Sequence, residues 1–197
     1  MTLSSVLNLV SSHQEVAFEH RVDEQVYRCR LIQASDDEAV RDLIIDTLTE
    51  FGCVGEGYAY ADEETQHMSR FYDNHASKYW VIESVSENLN DVPRLIGGGG
   101  FGRLKGTVES EGPSVCEVQK LYFNDAARGK GLGTRLLKLI IQEAKEAGYQ
   151  QAYLETVPQM KQAQGLYAKL GFCPLTHHMG QTGHHEKCSV RMLRDLS

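Results

Sequence analysis

The run VCEVQKLYFNDAARGKGLGTRLLKLIIQEA, residues 115–144, decides the fold of this chain. Its opening segment, 115–123, combines valine, leucine, tyrosine and phenylalanine, which is typical of a β-strand. From residue 132 onward, apolar residues recur at the spacing of one helix face. They are Leu132, Leu136, Leu137, Ile140, Ile141 and Ala144. The run therefore predicts a strand, a glycine-rich loop at 128–134 and an amphipathic helix in direct succession.

The loop at 128–134 has the properties of an anion site. The first backbone N–H groups of a helix lack intrahelical partners, and the helix dipole adds partial positive charge there. Glycines let the backbone wrap an anion without Cβ clashes. Cations flank the loop at Arg128, Lys130, Arg135 and Lys138. A plain glycine-rich turn with a solvated basic rim is the competing interpretation, and the flanking strand and helix favour the anion site.

Two familiar phosphate motifs fit the loop poorly. A P-loop requires GxxxxGK followed by Ser or Thr, but Lys130 is followed by Gly131, and Asn124 stands where the first glycine belongs. A dinucleotide fingerprint requires GxGxxG, and its third glycine would fall at Thr134. Glu155, at a suitable distance and at a strand end, keeps the dinucleotide interpretation open. The absence of a predicted βαβ unit ahead of the loop counts against it.

The rest of the chain predicts a mixed α/β (α+β) single domain. The predicted strands are 27–34, 79–83, 95–104, 115–123, 151–156, 172–176 and 189–193, and the predicted helices are 36 to about 52, 64 to about 75, 132 to about 148 and 160 to about 171. Residues 1–25 are interpreted as an N-terminal extension, a short helix or a tail, and 26–197 as the main domain. Four consecutive glycines at 97–100 weaken their strand and allow a ligand or another backbone to come close.

Composition excludes several classes of protein. The 27 acidic side chains exceed the 20 basic ones, and the formal charge of −7 argues against a nucleic-acid partner. No apolar run reaches the roughly 18 residues of a membrane span, and the N-terminus lacks a basic segment typical of a signal peptide. The five cysteines are scattered: Cys29, Cys53, Cys116, Cys173 and Cys188. This pattern favours free thiols and a cytoplasmic location.

The loop and its neighbours resemble the GNAT superfamily of N-acetyltransferases. Arg128, Gly131 and Gly133 occupy the pattern Arg/Gln-x-x-Gly-x-Gly of that family's acetyl-coenzyme A signature. Upstream, 117–124 resembles the family's central strand, and downstream, 154–172 resembles its second cofactor segment. The match covers about 115–173. It implies a GNAT-like domain with a central, mostly antiparallel mixed sheet, a splayed strand pair and about four flanking helices.

The same resemblance implies acetyl-CoA as co-substrate and no metal. The pantetheine arm would lie along exposed backbone of the central strand, a backbone N–H near Tyr122 or Phe123 would polarise the thioester carbonyl, and the pyrophosphate would bind the amides of 129–134. The implied cofactor contacts are Leu121, Tyr122, Phe123, Arg128, Gly129, Lys130, Gly131, Leu132, Gly133, Thr134 and Ala163.

Amine acetylation needs a proton acceptor and a proton donor. A free primary amine has a pKa of about 10.4 and is protonated at neutral pH. The resemblance assigns the acid that protonates the thiolate to Tyr167, although its spacing alone is that of a core tyrosine. Glu117 is the candidate base, with an ordinary solvent-facing carboxylate as the alternative. Gln119 lies on the same strand face by alternation and is a candidate to position a water or the substrate.

The acceptor side is less specific. Glu56, Tyr58 and Tyr60 are candidate substrate contacts and lie in an acidic segment that continues through 62–64, which would suit a cationic amine or form a solvated loop. Four histidines, His177, His178, His184 and His185, crowd a loop near the last strand. Adjacent histidines point apart in an extended chain, and their spacing matches no zinc signature, so a surface or substrate-facing loop is favoured.

The sequence therefore predicts an N-acetyltransferase that acts on a primary amine of a small molecule by direct attack in a ternary complex. A protein lysine or N-terminal acetyltransferase and a non-catalytic acyl-CoA-binding module are the alternatives. No nucleic-acid or membrane partner is expected. The identity of the amine and the oligomeric state stay open, with a homodimer as one arrangement.

Overall fold

A computed structural model describes residues 15–55, 58, 62–72, 74–86, 92–107, 114–181 and 187–197. The strands are β1 Val16–Val22, β2 Gln25–Leu31, β3 Lys78–Val85, β4 Arg94–Arg103, β5 Val115–Phe123, β6 Gln151–Thr156, β7 Cys173–Leu175 and β8 Val190–Asp195. The helices are α1 Asp37–Glu50, α2 Met68–Phe71, α3 Leu132–Glu146 and α4 Lys161–Lys169. None of these helices has the length and apolar character needed to span a membrane.

One sheet contains all eight of these strands, in the order β1-β2-β3-β4-β5-β6-β8-β7. Neighbours pair antiparallel except for β5 and β6, which are parallel. A parallel pair needs a crossover connection, and α3 supplies it here. The predicted mixed and mostly antiparallel sheet is confirmed.

Apolar helix faces cover both sides of the sheet. The fully buried side chains of α3 are Leu132, Leu136, Leu137, Ile140 and Ala144, and they pack on the side of the sheet that includes Trp80 and Ile82. On the other side, Val40 and Ile44 of α1 pack near Tyr79. Burying a Leu or Ile side chain contributes about 1.5–3 kcal/mol. The predicted apolar stripe of α3 is therefore the main reason that this helix docks.

A buried ion cluster joins β2, β3 and the start of α1. Arg30 donates to Asp36 Oδ2 at 2.7 Å and Oδ1 at 2.9 Å, and to Glu83 Oε1 at 3.0 Å. All three residues are buried. Asp36 is the N-cap residue of α1, but its carboxylate neutralises Arg30 and accepts no hydrogen bond from the first turn of α1.

Two sequence predictions about local structure need correction. Residues 16–22 are not part of a helix or tail; they form β1, which pairs with β2, so the sheet begins before residue 26. The helix predicted at 64–75 is instead a 3-10 turn, Glu63–Gln66, followed by the short α2. The proposed helix spacing at Leu3 to Val10 lies outside the described residues.

The glycines of β4 leave room for the protein itself. A Cβ at Gly100 would lie 2.2 Å from the Lys78 carbonyl oxygen, and one at Gly97 would lie 2.3 Å from the Phe123 ring. The sequence allows close approach of either a ligand or another backbone at these glycines. Close approach of the adjacent strands β3 and β5 explains Gly100 and Gly97. All five cysteines are free, as predicted.

Candidate active site

A gap between β5 and β6 dominates the site. The two strands pair only from Val115 with Gln151 to Glu117 with Tyr153. Beyond Glu117, β5 stays paired with β4 as far as Phe123, while no described strand pairs with its other edge. Backbone N–H and C=O groups on such an edge need partners, and an extended ligand can supply them by strand addition. The predicted splayed pair is therefore present.

A β-bulge in β5 changes the direction of the strand next to this gap. Gly98 pairs with Tyr122 but Gly100 pairs with Gln119, so β5 carries one extra residue. Lys120 has a φ of 51°, the left-handed region that side chains other than glycine rarely adopt. Its carbonyl accepts a hydrogen bond from Tyr79 Oη at 2.9 Å. The bulge is therefore anchored from β3.

The bulge also sorts the side chains around it. Leu121 turns toward α3, because a Cβ at Gly99 would lie 2.4 Å from Leu121 Cδ1 and 3.3 Å from Ile140 Cδ1. Gln119 and Lys120 instead face the helices of the other side, where Lys120 Nζ donates to Asp62 Oδ2 at 2.7 Å. Leu121 is thus partly buried against the core, on the side of the sheet opposite to Gln119 and Lys120.

The glycine loop follows β5 through a 3-10 turn, in which Asn124 Oδ1 accepts from the Ala127 N–H at 3.1 Å. Gly129 and Gly131 have φ values of 76° and 77°, and Gly131 is the N-cap of α3. No atom lies within 4 Å of a Cβ placed at Gly129. The backbone is thus free to be approached at the start of α3, as a phosphate cradle requires.

Three elements converge beside this loop. A Cβ at Gly133 would lie 3.4 Å from Leu166 Cδ2 of α4 and 3.5 Å from Phe123 Cε2 of β5. Leu132 is fully buried, and its side chain belongs to the core and not to the surface of the site. Thr134, which follows in the first turn of α3, is half-buried. The end of β5, the start of α3 and the middle of α4 therefore frame one end of the gap.

Arg128 forms contacts with the protein in this structure. Its guanidinium binds both carboxylate oxygens of Glu50, donates to the Phe123 carbonyl oxygen at 3.1 Å and lies 5.3 Å from the centre of the Phe51 ring. The hydrogen bond between Arg128 and Glu50 raises the pKa of Arg128 and lowers that of Glu50. The predicted cofactor cation thus links β5 to the end of α1.

β1 reaches the same loop, a contact that the sequence did not indicate. His20 Nε2 lies 2.9 Å from the Lys130 carbonyl oxygen, which accepts its hydrogen bond. Arg135, in the first turn of α3, lies 5.9 Å from the ring centre of Phe18. β1, part of the segment that the sequence predicts to be an extension, therefore stabilises the loop and the first turn of α3 through these two contacts.

The candidate base lies at the other end of the open edge. Glu117 is only 8% exposed, and its Oε2 accepts from Gln119 Nε2 at 2.7 Å. The two side chains therefore share a face, as strand alternation predicted. Gln119 also accepts from Tyr72 Oη at 2.8 Å through its Oε1. The predicted pair consequently belongs to a longer chain of hydrogen bonds.

The candidate acid, Tyr167, belongs to α4. It is 6% exposed, and its ring packs edge-on against Phe172 at 6.0 Å. Burial raises its pKa above the ordinary value of 10.0. The pKa of Tyr122 is also raised, mainly by burial and then by the neighbouring Cys188 and Tyr167. Ala163, on the same helix, is half-buried against the core.

The family profile of the acetyltransferase (GNAT) family matches residues 38–172, which include the gap, the loop and both candidate catalytic residues. The N-acetyltransferase YjgM of Escherichia coli (strain K12), itself named as uncharacterised, is 37% identical over 168 residues, 85% of this chain and 93% of that protein. The chain belongs to the acetyltransferase (GNAT) family. The predicted resemblance is confirmed, and the dinucleotide interpretation is excluded.

Solved structures show the same fold as this acetyltransferase. A GNAT acetyltransferase from Staphylococcus aureus Mu50 superimposes with a TM-score of 0.72 at 17% identity, over 87% of this chain and 99% of that one. A Salmonella typhimurium acetyltransferase, solved with its cofactor acetyl-CoA, has a TM-score of 0.63 at 20% identity, over 87% and 94% of the two chains. The GNAT-like architecture predicted from the sequence is thus confirmed.

The acidic segment of this acetyltransferase is largely paired. Asp62 binds Lys120, as noted, and Glu64 Oε1 accepts from Lys105 Nζ at 2.7 Å, a contact that raises the pKa of Lys105. Tyr58 lies 4.8 Å below the ammonium of Lys187. Glu56 and Tyr60 lie outside the described residues. The negative charge here is therefore compensated more than the sequence alone suggested.

A second buried carboxylate, Glu155, lies two residues beyond the last parallel pair, on β6. It is 2% exposed at the side chain and accepts from Tyr153 Oη at 2.5 Å. His178 Nε2 and Arg191 Nε lie 3.3 and 3.6 Å from its Oε1. From the sequence, Glu155 supports only the dinucleotide interpretation. The signal in the sequence that could have identified this residue as part of the site is its location near the end of a predicted strand.

Thiols and imidazoles near the gap form no metal centre in the described ranges, where no group of three or more His, Cys, Asp or Glu is arranged to hold an ion. His184 and His185 lie outside those ranges. Burial raises the pKa of the Cys188 thiol to about 12, and burial also raises that of Cys53. Both thiols are therefore neutral at physiological pH.

Proposed function

We propose that this chain is an acetyl-CoA-dependent N-acetyltransferase that acetylates a primary amine of a small molecule by direct attack in a ternary complex. The observation that carries the proposal is the open edge of β5, with the glycine loop at one end and the buried Glu117 at the other. Acetyl-CoA would supply an acetyl thioester whose carbonyl carbon the amine attacks. The remaining tasks fall to residues of the chain itself.

The cofactor has an anionic pyrophosphate and an amide-bearing pantetheine arm. The glycine loop suits the first of these groups, and the open edge of β5 suits the second. The pyrophosphate would bind the backbone amides of 129–134, and the pantetheine arm would lie along the edge of 121–123 that faces away from β4. A backbone N–H near Tyr122 or Phe123 would then donate to the thioester oxygen. Fixed donors aimed at developing negative charge contribute strongly to catalysis in a site that excludes water.

Proton transfer would be divided between two side chains. Glu117 would take the proton from the ammonium form of the acceptor, directly or through a water that Gln119 helps to hold. Tyr167 would give its proton to the departing thiolate. Its hydroxyl has no hydrogen-bond partner among the described residues, and burial keeps it protonated. Each such group typically contributes about 10²–10⁴-fold to rate.

Two features support direct attack on a small acceptor. The Cys188 thiol is kept neutral by burial, and a neutral thiol is a weak nucleophile, so an acyl-cysteine route is disfavoured. Glu117 is buried beneath the 3-10 turn and α2, through Tyr72 and the Asp62–Lys120 pair, so the base is recessed from the surface. A recessed base suits a small amine better than a folded protein.

The test compares Tyr167→Phe and Glu117→Gln with the wild-type enzyme. We expect kcat to fall at least 10²-fold in each variant, while the acetyl-CoA Kd from calorimetry stays within about twofold. Acceptors are compared as a panel of free amines against lysine and N-terminal peptides, by release of the CoA thiol. Higher kcat/KM for peptides would overturn the small-molecule assignment, and tight binding without transfer to any acceptor would overturn the enzymatic one.

A further inference from the structure

Tyr72, the residue that follows α2, is buried and linked to the candidate base by two hydrogen bonds. It is 5% exposed, and its hydroxyl donates to Gln119 Oε1 at 2.8 Å. The amide of Gln119 in turn donates from Nε2 to Glu117 Oε2 at 2.7 Å. Three side chains from α2 and β5 thus form one relay that ends at the carboxylate.

The chemistry of the three groups fixes the direction of this relay. An ionised carboxylate only accepts, so the group of Gln119 facing Glu117 is its NH₂. The amide oxygen then faces Tyr72, and only a protonated phenol can donate to it. Burial, followed by the charges of Glu64 and other nearby acidic groups, raises the pKa of Tyr72 well above its ordinary value. The phenol consequently remains a donor throughout the working pH range.

Tyr72 is itself firmly placed. Its ring packs against Tyr79 with centroids 5.3 Å apart, and Tyr79 is the residue that anchors the β5 bulge. At the start of α2, Ser69 donates from its N–H and its hydroxyl to the two carboxylate oxygens of Asp37, at 2.7 and 2.8 Å. The phenol is therefore held by α1, α2 and β3 together.

We propose that Tyr72 is a positioning residue for catalysis: by fixing the amide of Gln119, it fixes the orientation of the Glu117 carboxylate that accepts from that amide. The inference rests on the proposed role of Glu117 as the base. A carboxylate that rotates freely spends less time in the productive orientation, and small misplacements of a catalytic group reduce kcat strongly.

The experiment is a double-mutant cycle on the full chain, with kcat and both KM values measured for Tyr72→Phe, Glu117→Gln and the double variant. One lost hydrogen bond corresponds to a roughly 5- to 10-fold fall in kcat for Tyr72→Phe, with the acetyl-CoA KM unchanged. Because the phenol acts through the carboxylate, it should change kcat less than about twofold once Glu117 is glutamine. Gln119→Met, which breaks both links, should reduce kcat at least as much as Tyr72→Phe.

Tyr149→Phe is the matched control. Tyr149 is 7% exposed and its hydroxyl donates to the Ala76 carbonyl oxygen at 2.7 Å, so this variant also removes a partly buried tyrosine hydrogen bond, but away from the gap. It should keep wild-type kcat with a Tm decrease similar to that of Tyr72→Phe. Full activity in Tyr72→Phe, or equal losses from it in both backgrounds, would overturn the inference alone. Full activity in Glu117→Gln would instead overturn the assignment of the base.

Discussion

Arg128 presents a competition between two anions for one guanidinium. Glu50 holds it in a bidentate pair in this structure, and the proposed site would place a pyrophosphate close by. The Glu50 side chain is 47% exposed, and exposed pairs contribute only about 0.2–1 kcal/mol. A polyanion can therefore displace Glu50 at modest cost.

Glu50→Gln should accordingly strengthen acetyl-CoA binding. Releasing a pair of at most about 1 kcal/mol lowers the Kd by up to about fivefold. Calorimetric titration of acetyl-CoA at 0.05 and 0.15 M salt measures the change, which should be smaller at the higher salt. If the variant binds acetyl-CoA more weakly than wild type, Arg128 acts by anchoring the loop to α1 instead of by contacting phosphate.

The raised pKa of Tyr167 leads to a prediction about how kcat depends on pH. Burial raises its pKa above 10.0, and a raised pKa keeps a phenol protonated at higher pH, so the proposed acid stays loaded across the neutral and mildly alkaline range. We expect kcat at saturating substrates to show no alkaline decline below about pH 10. A decline with a midpoint near pH 8 that is absent from Tyr167→Phe would contradict this protonation state.

The sequence singles out candidate site residues more readily than the residues that support them. The resemblance singled out Glu117 and Tyr167, since their neighbours in sequence form a recognisable pattern. Tyr72 carries no such signal, because it meets Gln119 only after α2 folds back on β5. Long-range contacts of this kind depend on tertiary packing, so one sequence alone does not specify them.

Two substitutions of Lys120 test how much the bulge constrains strand β5. Lys120→Ala and Lys120→Gly both lose the ion pair with Asp62, but only glycine adopts a φ of 51° without strain. We expect the alanine variant to be less stable, by up to about 1 kcal/mol in the free energy of unfolding from urea titration. It should also have the higher acetyl-CoA KM. Equal stabilities would mean that the bulge relaxes when the lysine is removed.

Elements were predictable where one periodicity extended over many residues. The stripe of α3 repeats through four turns, and β5 was predicted at 115–123, the bounds that it has. The helix predicted at 64–75 is wrong because the segment lacks a sustained stripe: Met68 and Tyr72 are buried, but Glu63–Gln66 form a separate 3-10 turn before the short α2. β1 failed because an edge strand buries little and shows only weak alternation.

For the whole molecule, the charge of −7 conceals local pairing. Asp62, Glu64 and Glu155 each have a cationic or imidazole neighbour, and Glu50 faces Arg128. The region predicted to attract a cationic amine is thus partly neutralised before any substrate arrives. Selection of an acceptor would then depend on shape and on individual hydrogen bonds more than on a broad negative potential.

The proposed cofactor site also involves three parts of the fold: the free edge of β5, the first turn of α3 and the neighbouring part of α4. A ligand that binds all three should stabilise the native state as a whole, and at 100 times its Kd it contributes about 2.7 kcal/mol. For a domain of this size each kcal/mol raises Tm by about 2–4 °C, so acetyl-CoA should raise it by about 5–10 °C in a scanning fluorimetry experiment. NAD at the same concentration should leave Tm unchanged, and Tyr167→Phe should show the wild-type shift because its hydroxyl acts in turnover. An absent shift at millimolar acetyl-CoA would refute the site, since no arrangement of catalytic groups compensates for a cofactor that does not bind.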